Sequence, residues 1–226
     1  TLPYDYLVIA LGTESNYFGM ENVKRHSWPL KTISNATNLR NHLLMNMERA
    51  VRETDPEERR KLLNIVIAGG GPTGVEVAGM LAEMAHHIAP KEYPEIKVVN
   101  IPIYLVEAGA ELLGPMSRKS QKEATEVLTK LGVRIKLNTA VKDYVDGQVI
   151  LSNGEQIPSR ALIWTSGVIG RQVPGIPQEF LGRGRRMLVD DFSKVQGTFN
   201  VFAIGDIGLM TSDQQFPNGH PQLAQV

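Results

Sequence analysis

The stretch Ile65-Val66-Ile67-Ala68-Gly69-Gly70-Gly71-Pro72-Thr73-Gly74 carries the most specific chemistry in the sequence. Gly69, Gly71 and Gly74 fit the pattern G-x-G-x-x-G. Each glycine has its own use. At Gly69 it permits a tight turn. At Gly71 the missing Cβ lets backbone approach a pyrophosphate. At Gly74 it lets a helix pack close on a sheet. Gly70, Pro72 and Thr73 would also lie against the cofactor, whose pyrophosphate would meet free N–H groups of the loop, Pro72 having none, and the positive end of the helix dipole. The same pattern also occurs as plain strand-turn-helix packing. An apolar strand before it and a helix after it favour the nucleotide.

The second half of such a site is an acid at the end of the next strand. Glu107 follows the apolar run Ile103-Tyr104-Leu105-Val106. Its carboxylate would accept hydrogen bonds from both adenosine ribose hydroxyls. It stands further along than the usual ~20 residues, which an insertion over residues 86–100 explains. No Lys or Arg follows until Arg118. A 2′-phosphate would therefore meet a negative charge and no cation, so NADH is expected over NADPH. A surface glutamate at a strand end is the alternative. Glu76 falls in what reads as the first helical turn, where a carboxylate also stabilises the dipole.

These residues need elements to position them. Residues 6–11 form an apolar run closed by Gly12, the pattern of a buried parallel strand. Residues 34–52 read as a helix with Leu39, Leu43, Leu44, Met47 and Val51 on one face and Ser34 as N-cap. Asp55-Pro56 ends it, and residues 57–61 read as a charged, solvated stretch. Residues 62–68 are the strand that feeds the glycine loop, and Pro72 suits a first helical position. A strand over 101–106, an amphipathic helix over 119–131 capped by Gly132, and a strand over 133–137 follow. Asp146-Gly147 and Asn153-Gly154 are hairpin-turn dipeptides, so a three-stranded antiparallel meander is expected. Residues 161–165 form a strand closed by Gly167. Residues 201–204 form the last one, ending at Gly205-Asp206.

Composition excludes several classes. Lys plus Arg and Asp plus Glu are 24 each, so no general attraction to nucleic acid is expected. No apolar run reaches the ~18 residues of a membrane span. The absence of cysteine rules out a disulfide, a thiolate nucleophile and an iron–sulfur cluster within this sequence. Glu83 and His86 have di-iron helix spacing, but a site needs two copies, and no metal is expected. Arg183, Arg185 and Arg186 read as an exposed turn. The sequence starts directly before a strand, without Met, and both ends look cut.

In their order, these stretches resemble the pyridine nucleotide-disulfide oxidoreductase superfamily of flavoproteins, and within it the type II, non-pumping NADH dehydrogenases (NADH:quinone oxidoreductases). Residues 4–13 resemble the strand at which the chain leaves the FAD domain. Residues 69–83 resemble the NADH loop and helix. Residues 163–168 resemble the return strand, and residues 201–206 the flavin motif. The terminal Pro221-Gln222-Leu223-Ala224-Gln225-Val226 resembles the start of the A-Q-x-A segment beside the quinone site.

The resemblance implies a two-dinucleotide-binding-domain α/β flavoprotein. A Rossmann-like NADH-binding domain with the meander (33–168) would be inserted in an incomplete FAD-binding Rossmann-like domain (1–32 and 169–226). Hydride would pass from NADH to flavin and two electrons from flavin to a quinone. Glu76 would reach the nicotinamide end, Gly167 and Val168 would floor its pocket, and Gly205 and Asp206 would hold the ribityl chain. Ala224 and Gln225 would face flavin or quinone, with Gln225 donating a hydrogen bond. The parent enzyme would sit peripherally on the inner, cytoplasmic face of the membrane through a segment beyond residue 226; a homodimer is allowed. This chain alone would hold no stoichiometric FAD and would not turn over. The alternatives are a ferredoxin or disulfide reductase of the same superfamily, and a non-catalytic NADH-binding module.

Overall fold

The computed structural model describes residues 2–96, 101–212 and 219–221. The chain divides into two compact units. One is Tyr17–Gly167; the other combines Thr1–Asn16 with Val168–Val226. The second unit opens with β1 (Leu7–Ile9) and β2 (Thr13–Ser15). The first then runs α1 (Glu21–His26), β3 (Trp28–Pro29), α2 (Ile33–Arg52), α3 (Pro56–Leu63), β4 (Ile65–Ala68), α4 (Pro72–His87) and α5 (Ala89–Glu92). It continues with β5 (Ile103–Val106), α6 (Arg118–Lys130), β6 (Arg134–Lys136), β7 (Val141–Val145), β8 (Gln148–Leu151), β9 (Gln156–Pro158) and β10 (Ala161–Trp164). The second unit resumes with β11 (Val168–Gly170), β12 (Met187–Val189), β13 (Val201–Ala203), β14 (Gly208–Met210) and β15 (His220–Pro221).

The larger unit is an α/β Rossmann-like fold. Its sheet has the order β3-β10-β4-β5-β6, with every pairing parallel. Alternation along each strand builds two cores. Ile65, Ile67, Ile103, Leu105, Ala161 and Ile163 pack with residues of α2, α3, α4 and α6. Val66, Ala68, Val106, Leu162 and Trp164 pack with Val23 of α1 and with the β7-β8-β9 meander. Strands buried on both faces need continuous apolar runs, which is what the sequence supplies. The meander is antiparallel, and Asp146 and Gly147 both take positive φ in its first turn, as a two-residue hairpin loop requires.

Three local expectations are corrected. Thr32, not Ser34, caps α2: its side chain accepts from the Asn35 N–H, and Asn35 returns the bond to the Thr32 N–H. Residues 57–61 are helical. Asp55-Pro56 starts α3, with Asp55 as N-cap and Pro56 in the first turn, where a missing N–H costs nothing. Glu58 then clamps Arg160 through two bonds of 2.8 and 2.9 Å. That hydrogen-bonded guanidinium holds the Glu58 carboxyl below the usual carboxylate range. Finally, β1 is parallel, as expected, but among the described residues it pairs only with β13. Ile9 is buried, whereas Tyr6, Val8 and Leu11 are 73%, 56% and 54% exposed. A hydrogen-bonded neighbour covers an edge of a strand and neither of its faces, so an apolar run does not guarantee burial.

In the smaller unit, Ile9, Met187, Val189, Val195, Val201, Ala203 and Ile207 form the core. β11 pairs antiparallel with β2, and β12-β14-β15 form a mixed sheet. Arg185 is hydrogen-bonded to Glu14 across the two sequence segments.

Candidate functional site: a cleft at the carboxyl edge of the sheet

Strands β10, β4 and β5 end together at Trp164, Ala68 and Val106. Beyond them the glycine loop turns into α4. The turn is tied down by backbone: Gly69 N–H donates to the Val106 carbonyl at 2.8 Å, and Leu113 N–H to the Gly70 carbonyl at 2.8 Å. The Thr165 hydroxyl shares its hydrogen between the carbonyls of Ala68 (2.8 Å) and Gly69 (3.1 Å).

The glycines are required for different reasons. Gly69 sits at φ +109, and a Cβ there would lie 2.9 Å from Ser166 Oγ. A Cβ on Gly74 would lie 1.8 Å from the Gly69 carbonyl oxygen, so helix and strand end are in backbone contact. A Cβ on Gly70 would collide with Leu112 at 2.6 Å. Gly71 differs. Its φ is −73, and a Cβ would meet nothing within 4 Å. Neither backbone nor neighbours demand glycine there, and the space in front of it is open. Gly71 is also the N-cap of α4, with no side-chain cap, and Pro72 follows at the start of the helix. The helix start therefore has no side-chain cap, and its first-turn N–H groups and positive dipole end are suited to receive an anion.

Glu107 stands opposite. Its carboxylate accepts from the Gly70 N–H and the Gly109 N–H, both at 2.6 Å. Each oxygen keeps a further lone pair, so the carboxylate positions the loop and can still accept from hydroxyls. Gly69, Gly71, Glu107, Trp164 and Gly167 line one cleft of about 320 Å³.

Not every expected residue lines it. Glu76 is exposed and lies outside the lining, as do Pro72 and Thr73. Glu76 is the fifth residue of α4, whose first turn contains no acid, so the first-turn dipole account is corrected. Val168 opens β11 in the smaller unit. Gly205 in that unit has φ +69 and begins a short 3-10 turn, and the Asp206 carbonyl accepts from Arg186 Nε at 2.9 Å. Ala224 and Gln225 lie outside the described residues. Sequence reasoning missed Phe18, Thr139, Val141 and Ser166, which also line the cleft. Phe18, Thr139 and Val141 come from a loop and strand ends that no motif covers, and Ser166 sits inside the stretch 163–168 without a role of its own in it.

Two larger hollows exist in the same unit. One of about 550 Å³ lies beside Asn64, Tyr104 and Arg134, at the amino ends of the strands. The other, about 540 Å³, is an apolar groove between α2 and α4. Size does not decide between them: open parallel sheets bind ligands outside their carboxyl ends, and only the smaller cleft carries the glycine loop.

The family model for pyridine nucleotide-disulphide oxidoreductases matches residues 1–226. The chain belongs to that family. It is 34% identical over 231 residues to a type II NADH:quinone oxidoreductase of Mycobacterium tuberculosis, covering 99% of this chain and 48% of the relative. It is 32% identical over 210 residues to an external alternative NAD(P)H-ubiquinone oxidoreductase of Arabidopsis thaliana, covering 90% of this chain and 36% of that protein. The structure of NDH2 from Plasmodium falciparum in complex with NADH superposes with a TM-score of 0.85 at 26% identity, over 93% of this chain and 45% of that one. The chain thus spans about half the length, or less, of these relatives.

Proposed function

We propose that this chain is the NADH-binding part of an FAD-dependent NADH:quinone oxidoreductase. The observation that carries it is the open space before Gly71, at an uncapped helix start facing Glu107. That cradle fits a pyrophosphate flanked by a ribose. The M. tuberculosis relative, named as an NADH:quinone oxidoreductase, and the NADH complex of P. falciparum NDH2 support the reading.

In this proposal Tyr17–Gly167 is the NADH-binding domain, and the smaller unit supplies segments of the FAD-binding domain. The backbone N–H groups at the start of α4 hold the pyrophosphate. Gly69, Gly70, Pro72, Thr73 and Gly74 give the loop its shape. Glu107 accepts from the adenosine ribose and disfavours a 2′-phosphate, giving NADH over NADPH. Gly167, with Val168, borders the nicotinamide, and Glu76 orients its carboxamide. Gly205 and Asp206 hold the flavin's ribityl chain, and Ala224 and Gln225 face flavin or quinone. When bound, FAD supplies the redox chemistry, taking hydride from NADH and passing two electrons to a quinone. Because quinones are lipid-soluble, the same proposal sets the enzyme peripherally on the inner face of the membrane. No helix among the described residues is long and apolar enough to cross a membrane.

The test uses the full-length enzyme that contains this sequence, reduced anaerobically with NADH and then mixed with a short-chain quinone. Fast flavin bleaching followed by fast recovery is expected. Bleaching without recovery would move the acceptor to ferredoxin or a disulfide. No bleaching would overturn the oxidoreductase reading and leave a binding module.

A further inference from the structure

The turn over residues 17–20 breaks a local rule. Met20 N–H donates to the Tyr17 carbonyl at 2.9 Å. The two central residues, Phe18 and Gly19, have φ of +51 and +80. Positive φ at both positions is the pattern of a type I′ turn, where Asn-Gly or Gly-Gly is favoured. Gly19 fits. Phe18 does not, because a bulky side chain at positive φ is strained. Strain of this kind persists where the surroundings over-determine it, and it clusters at ligand sites.

The ring's surroundings point to a ligand. Phe18 is 62% exposed, although a phenyl ring gains by burial. It lines the cleft together with Gly71 and Gly167. It is held edge-on to Trp164, with ring centroids 6.5 Å apart, and Trp164 is itself stacked on Tyr17 at 5.8 Å. Trp164 is 3% exposed and ends β10. The aromatic stack therefore anchors Phe18 to the sheet at the lining of the cleft, with the residue still largely exposed. An Asn would make the turn with less strain and would leave the cleft without an apolar wall.

We infer that Phe18 is a cofactor-contact residue that packs its ring on the nicotinamide half of the dinucleotide. The choice of half follows from register. Trp164 of β10 pairs with Ala68 of β4, which pairs with Val106 of β5. Glu107, the ribose acceptor of the adenosine half, follows β5, one strand beyond the glycine loop. Phe18 stands against β10, on the other side of that loop. The inference rests on the dinucleotide reading of the cleft and adds a specificity element to it: an aromatic wall that a flat ring can meet and a bare ADP-ribose does not use.

The experiment titrates the chain with NADH and with ADP-ribose by calorimetry, as wild type, Phe18→Asn and Phe18→Tyr. Thermal midpoints are measured alongside. Phe18→Asn is expected to melt at or above the wild-type temperature, since Asn tolerates positive φ. It should bind NADH about tenfold more weakly, in line with the loss of one aromatic stacking partner. Its ADP-ribose affinity should be unchanged, and Phe18→Tyr should retain NADH affinity. Equal NADH affinity in wild type and Phe18→Asn overturns the inference. So does an equal loss for NADH and ADP-ribose, because the ring would then meet the shared half. A wild-type chain that binds neither ligand overturns the dinucleotide reading itself, and the Phe18 assignment with it.

Discussion

The two units of this chain use similar residues to different ends. In the larger unit, β4 buries Ile65, Val66, Ile67 and Ala68 completely, because helices cover one face of the sheet and α1 with the meander covers the other. In the smaller unit, β1 has an equally apolar sequence, yet Val8 is exposed and only Ile9 is buried. The lesson is that burial belongs to the layers around a strand, not to its composition. The same contrast separates the functional expectations. The larger unit holds a closed set of loop, helix start and acid. The smaller holds Gly205 and Asp206 on a single short turn.

The contrast is broken most severely at Gly74. Gly74→Val puts a Cβ 1.8 Å from the Gly69 carbonyl, a backbone atom that cannot move aside. Overpacking costs about 1–3 kcal/mol where side chains can adjust, and here the cost should exceed that range. A circular-dichroism melt should show the larger unit's transition lost or strongly lowered. Gly208→Ala in the smaller unit approaches the Ala203 carbonyl at 2.9 Å and has φ in the ordinary range; its melt should fall by less.

Gly71→Ala sharpens the comparison by separating fold from function. A methyl there meets no protein atom within 4 Å, so the melt should match wild type. The methyl occupies the proposed pyrophosphate space, and NADH affinity measured by calorimetry should fall at least ~10-fold, about 1.4 kcal/mol. Unchanged affinity would remove the ligand from that position.

Glu107→Gln is smaller in effect. The wild-type carboxylate accepts from two backbone N–H groups, and an amide can accept only through its oxygen. A net loss of about 1 kcal/mol in stability is expected. With the negative charge gone, the ratio of NADH to NADPH affinity should fall toward unity. Tighter NADPH binding by the wild-type chain would reject the role given to Glu107.

The smallest effect concerns pH. His42 is stacked on Trp28 at 4.3 Å, with Nε2 2.7 Å from the Arg160 carbonyl, which requires Nε2 to carry the hydrogen. Burial is the main cause that lowers its pKa. The folded state therefore keeps the ring neutral where the unfolded chain takes up a proton. This contribution is complete above the unfolded value of ~6.5 and is lost progressively as pH falls through and below it. Melts from pH 8 to 5 should show the decline, and His42→Gln, which keeps a donor without titrating there, should flatten it.

Much of this was readable in advance, for identifiable reasons. The strands of the large sheet, the glycine loop and Glu107 follow from period, turn chemistry and spacing, which are local properties. Asp55-Pro56 is ambiguous in sequence because Pro both ends one helix and begins another; an N-cap acid followed by Pro marks a start. The exposure of β1 depends on what packs over it, which no run of residues encodes. Phe18 and Thr165 were invisible as site residues because their roles depend on β10 lying beside β4. A hint for Phe18 did exist: Tyr-Phe-Gly is a turn whose first central residue suits the turn poorly.

The most direct test of the central claim is amide hydrogen exchange of this chain with and without NADH. Protection is expected at residues 69–76 and 107–109 of the larger unit, with no change in β1 or β13. Protection centred instead on the hollow beside Asn64 and Arg134, or no protection anywhere, would contradict the placement of the dinucleotide at the carboxyl edge of the sheet.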